Sequence, residues 1–137
     1  MRPICLNLTE DQAATLWRED LVRVAGTAFS LPARLATRIT YEPHTHCWRV
    51  CGSGKPDGHM QVSLFGETRQ FSRVVWHLLR GPIPEQHSLM HSIQGGCYNP
   101  DCCNVWEHLE PLGPLDTLKR LAAQPRMLPR MRRVWVR

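Results

Sequence analysis

Between His91 and His108 the chain carries Cys97, Cys102 and Cys103, half of its six cysteines, with Asn104 directly after them. Soft thiolates and an imidazole nitrogen in so short a span are the donors of a tetrahedral zinc site. A loop that closes on one ion is a staple, and the remaining chain must fold around it. At 137 residues the protein has room for one domain with a modest core. In a domain of that size a structural metal supplies a large part of the folding energy.

The competing reading of these cysteines is an extracellular disulfide scaffold. Adjacent Cys102 and Cys103 beside histidines argue against it, and acids at Glu10 and Asp11 interrupt any signal-peptide core. No stretch approaches the roughly 20 apolar residues of a membrane span, so no membrane partner is expected. A net charge of +5 and a pI near 9.1 favour a polyanionic partner, with nucleic acid the usual one.

The periodicity predicts an α+β domain over residues 1–124 and a basic tail over 125–137. Thr9 and Gln12 form a capping box, and Ala13, Leu16, Trp17 and Leu21 recur at helical spacing, predicting a helix over 8–25 that ends near Gly26. Residues 31–41 fit either a strand or a basic segment against a phosphate backbone. Cys47 and Cys51 alternate with Trp48 and Val50 as a strand would, although their spacing also suits a second metal. Met60–Phe65 and Thr68–Phe71 read as an antiparallel hairpin or as part of a three-stranded sheet. Ser72 is placed to cap a helix through Arg80, with Val75, Leu78 and Leu79 buried and Gly81-Pro82 as the stop. A last helix starts at Gly113-Pro114, with Leu115, Leu118, Leu121 and Ala122 on one apolar face, and closes at Pro125. The tail holds five arginines, Arg130, Arg132 and Arg133 among them. The roles of Cys5 and Cys51 stay open.

Cys47-Trp48, the hairpin, Phe71-Ser-Arg73-Val-Val-Trp, Gly81-Pro-Ile-Pro-Glu85, Met90-His91, Cys97 with Cys102-Cys103-Asn104, and His108-Leu-Glu-Pro follow one another in a telling order. Over residues 45–122 the chain resembles the HNH endonucleases, and within them the phage and intron-encoded homing enzymes with a His-Cys box. These belong to the ββα-metal, or His-Me finger, superfamily. The resemblance implies a small zinc-stapled ββα-metal domain and a metal-dependent nuclease that hydrolyses phosphodiester bonds in double-stranded DNA. His91 matches the general base and Arg73 the arginine facing the scissile phosphate. Cys47, Cys97, Cys102 and His108 match the structural zinc ligands, with Cys103 the alternative to Cys102. Asn104 matches an amide that braces the loop. Arg49, Gln61 and Arg69, with Arg130, Arg132 and Arg133 of the tail, are the expected DNA contacts. The implied location is the cytoplasm of a bacterial host or phage-infected cell, or a nucleus in a eukaryote. A homodimer through exchanged tails is one arrangement in the family.

Two departures matter. Met90 stands where many relatives carry aspartate. The asparagine that holds the catalytic divalent ion in relatives is replaced by Thr117 beside Asp116. Asp116 is a hard-oxygen donor for Mg²⁺, and equally a first-turn acid that complements the helix dipole. Two functions therefore compete: an endonuclease with structural Zn²⁺ and catalytic Mg²⁺, and a catalytically inactive zinc module of the same fold that binds DNA. An RNA-binding zinc knuckle fits the long hairpin and the Gly-Pro-Ile-Pro connector poorly.

Overall fold

A computed structural model describes residues 7–52, 54, 58–91, 97 and 99–123 of the chain. The order is α1 (Glu10–Trp17), β1 (Leu21–Arg23), β2 (Ser30–Pro32), α2 (Ala33–Ala36), β3 (Ile39–Glu42), β4 (Cys47–Val50), β5 (Gln61–Leu64), β6 (Glu67–Gln70), α3 (Phe71–Arg80), β7 (Ser88–His91), β8 (Leu109–Leu112) and α4 (Pro114–Ala123). The fold is mixed α+β. Its strands pair as antiparallel two-stranded sheets, β1 with β2, β3 with β4, β5 with β6 and β7 with β8, so the hairpin at 61–70 stands as a two-stranded unit. No described helix is long and apolar enough to cross a membrane.

The capping box forms as its residues dictate. Thr9 Oγ1 accepts from Gln12 N at 3.1 Å and Gln12 Oε1 accepts from Thr9 N at 3.0 Å. The helix stops at Trp17, short of the expected 25. Leu21–Arg23 pair instead with Ser30–Pro32, and Gly26 turns the chain at φ 85°. A short local hairpin overrides a helical spacing that Leu21, 47% exposed, satisfied by coincidence. Helix α3 likewise begins two residues early: Gln70, not Ser72, is the N-cap, without a side-chain bond, Phe71 is the first residue, and Phe71 N donates to Met60 O at 2.9 Å.

One apolar cluster runs from Leu8 to Leu109, built on Leu16, Val24, Leu31, Leu35, Leu64, Phe71, Val74, Val75 and Val105. Val75 and Leu78 are buried as expected, while Leu79 packs at its edge. A separate buried cluster consists of Cys47, Cys97 and Cys102. Helix α4 packs against β7 and β8, which places a hairpin, a cysteine loop and a helix side by side. The expected apolar face of α4 is not buried: Leu115 and Leu118 are each 64% exposed. Ala122 is exposed too, and the side chain of Leu121 lies outside the described residues. The basic tail with Arg130, Arg132 and Arg133 lies outside them as well.

Candidate metal centre

Cys47 is delivered to the centre by the turn before β4. His46 takes a left-handed φ of 63°, His46 N donates to Glu42 O at 2.7 Å, and Cys47 N donates to Thr45 Oγ1 at 3.2 Å. The next residues of β4 grip the cysteine loop by its backbone. Cys103 N donates to Trp48 O at 2.9 Å and Val50 N to Asp101 O at 3.0 Å. These bonds place Cys102 beside Cys47, 55 positions earlier in the chain. On the other side, Asn104 holds the turn leading to His108. Its Nδ2 donates to His46 O at 2.6 Å, and its Oδ1 accepts from Trp106 N at 3.0 Å and Glu107 N at 3.1 Å. His108 N closes the turn on Asn104 O at 3.0 Å.

Cys47, Cys97, Cys102 and His108, all buried, bring their donor atoms within 4.8 Å of one another and can hold a metal ion. Zn–S bonds of about 2.3 Å and a Zn–N bond of about 2.0 Å, set tetrahedrally, imply S···S edges of about 3.8 Å and S···N edges of about 3.5 Å. The observed edges are 3.9 Å from Cys47 Sγ to Cys97 Sγ, 3.5 Å from Cys47 Sγ to His108 Nδ1, and 3.4 Å from Cys102 Sγ to His108 Nδ1. The residues therefore fit the ion. Two N–H groups support the sulfurs: Asn99 Nδ2 lies 3.4 Å from Cys47 Sγ, and Asn104 N lies 3.4 Å from Cys102 Sγ. Such bonds to ligand atoms orient them and stabilise thiolate charge.

The hydrogen bond with Cys102 holds the Cys97 thiol low, at about 5. Its partner Cys102 is pushed up, by that same bond first and by burial second. A metal ion binds both as thiolates and displaces the shared proton. Cys103 lies apart from this group. It packs in the main apolar cluster, and burial raises its thiol. Cys51 is exposed on the far side of β4 and joins no described metal cluster.

His91 sits at the end of β7, paired with Leu109 of β8, so the register puts it next to the ligand His108. Its Nε2 lies 3.1 Å from the carbonyl oxygen of Cys102. A carbonyl only accepts, so Nε2 carries the proton and Nδ1 of the neutral ring is an acceptor. Burial lowers the pKa of His91, which favours that neutral form.

The expected arginine and glutamine contacts are placed as follows. Arg73 is 4% exposed, with Nε and Nη2 on Asn7 Oδ1 at 3.1 and 2.9 Å and Nη1 on His87 O at 3.1 Å. Arg69 is 5% exposed and donates to Leu64 O and Asn7 O. Arg49 pairs with Asp101 at 2.8 Å and with Glu42 at 3.4 Å. Gln61 is half-buried, its carbonyl accepting from Arg38 Nη1. On α4, Asp116 is exposed, whereas Thr117 Oγ1 donates to Leu112 O at 3.2 Å.

The sequence reading missed Asn99, Asp101 and Asn7. Asn99, two residues past a cysteine in a tight loop, carried a detectable signal. Asn7 carried none, because its partner Arg73 is 66 positions away.

No family model matches the chain, and no solved structure matches it. It is similar to the uncharacterized gene 5.3 protein of Enterobacteria phage T3, with 39% identity over 70 residues that cover 44% of this chain and 63% of that relative. The match thus spans less than two thirds of the relative's length.

Proposed function

We propose that the protein is a metal-dependent DNA endonuclease in which Cys47, Cys97, Cys102 and His108 hold a structural zinc ion and His91 is the general base. The observation that carries this reading is the hydrogen bond from His91 Nε2 to the carbonyl of Cys102. It ties a neutral imidazole to the metal loop, leaves Nδ1 as the accepting nitrogen, and keeps the ring in one orientation. The packing of α4 against the β7–β8 hairpin supports reading this part of the chain as the ββα arrangement that the family resemblance implies. Similarity to a phage protein agrees with a role in an infected bacterial cell.

In the proposed reaction His91 Nδ1 takes a proton from water as its oxygen bonds to phosphorus. The bond from phosphorus to the 3′ oxygen breaks, and that oxygen is protonated from solvent. The exposed carboxylate of Asp116 would hold a hard divalent ion such as Mg²⁺, which would supply charge neutralisation at the phosphate and the leaving oxygen. Double-stranded DNA would lie along the β5–β6 hairpin near Gln61, with the arginine tail adding salt-dependent affinity.

The second reading, a zinc module that binds DNA without cutting it, is favoured by α4 itself, whose first turn offers one exposed carboxylate and a hydroxyl already engaged by Leu112. Plasmid nicking in Mg²⁺ separates the two. Wild type is expected to cut, and His91→Ala to lose about 100-fold or more of the rate while keeping its zinc. DNA binding without cleavage by wild type, across divalent ions, would establish the second reading instead.

A further inference from the structure

Arg73 is bonded to Asn7 and to the His87 carbonyl, and the ring beside His91 is that of His59. We propose that His59 is a phosphate-contacting residue of this site, donating an imidazole N–H to a non-bridging oxygen of the phosphodiester that His91 addresses. This rests on the endonuclease reading and adds a residue to it.

The rings of His59 and His91 lie 6.2 Å apart between centroids and are tilted by 48°. Both are half-buried, so each keeps one side toward solvent. A gap of that size lets hydrogen bonds of about 2.9 Å from each ring meet one small polar group between them. His59 is held there by the backbone. Gly58, at φ 93°, presses against the metal loop so closely that a Cβ would fall 2.7 Å from Pro100 Cγ. His59, Pro100, Asp101 and Cys102 line one crevice, and the Cys102 carbonyl separately anchors His91. A histidine just before β5 and one at the end of β7 therefore approach each other beside the metal loop. The closest ion pair on that edge, Arg49 with Asp101, is internally neutral. An imidazole donor there can bind a phosphoryl oxygen whose charge grows during attack. His59 makes and breaks no covalent bond in this role.

Three variants and one spectrum test it. In single-turnover cleavage of a DNA duplex, His59→Ala is expected to be slower by about 10- to 100-fold, with affinity for the duplex within about threefold of wild type and zinc content unchanged. His59→Gln and His59→Arg, which restore a donor, are expected to recover much of the loss. A merely structural histidine would not be rescued by both. His59→Ala cleaving within about twofold of wild type, or no recovery in either donor variant, overturns the proposal. Histidine side-chain NMR of the wild-type protein with an uncleavable phosphorothioate duplex adds a readout independent of turnover. Movement of both imidazoles is expected. Movement of His91 alone overturns the role of His59 and leaves the nuclease reading standing, whereas no movement of either ring and no cleavage overturn both.

Discussion

Asn104 shows how much one side chain contributes at the residue scale. Its amide reaches His46 on one side of the metal centre and receives two backbone N–H groups on the other, so it ties the segments carrying Cys47 and His108 together. Asn104→Ala leaves these buried groups without partners. A loss of roughly 2–4 kcal/mol in denaturant unfolding of the metal-loaded protein is expected. A loss below about 0.5 kcal/mol would mean that water or neighbouring groups replace the amide. The position of Asn104 was legible in the sequence because its bonds are mostly local. The inward turn of Arg73 was not, since it depends on Asn7 and on the strand leading to His91.

Elements were legible wherever local chemistry and tertiary contacts agree. The capping box of α1, the Gly81 stop of α3 and the β5–β6 hairpin all follow from neighbouring residues. Where they disagree, strand pairing decides: β1 interrupts the predicted long helix because Ser30–Pro32, just beyond the Gly26 turn, offers it a partner. Helix α4 is the sharpest case. Its leucines recur at helical spacing, yet Leu115 and Leu118 are exposed although α4 packs against β7 and β8. Leu118→Ala is accordingly expected to change stability by less than about 0.5 kcal/mol. Phe71→Ala at the start of α3, 1% exposed and with the Arg38 guanidinium 4.9 Å from its ring centre, is expected to cost about 3–5 kcal/mol. Thermal or denaturant melts of the two variants check the contrast. A Leu118→Ala loss comparable to that of Phe71→Ala would show that the α4 face is covered in solution.

At the scale of the molecule, the apolar cluster and the cysteine cluster share the work of folding. The hairpins are short and paired two by two, so strand pairing alone specifies little of their mutual placement. An ion held by this cluster would join β4 to the loop before β8 and fix what the hairpins leave undetermined, across the 50 residues between Cys47 and Cys97. The cysteine-rich loop was readable from spacing. The choice of Cys102 over Cys103 required the backbone bonds that turn one sulfur to the centre and the other into the core.

The most direct measurement is metal content per chain by elemental analysis of the purified protein, before and after exhaustive chelation, with Cys102→Ala and Cys103→Ala alongside. One tightly bound zinc is expected in wild type and in Cys103→Ala, strongly weakened binding in Cys102→Ala, and loss of the folded circular-dichroism signal when the ion is stripped. A wild-type protein that contains no transition metal and keeps its fold unchanged under chelation would contradict the metal centre, and with it the role of His91.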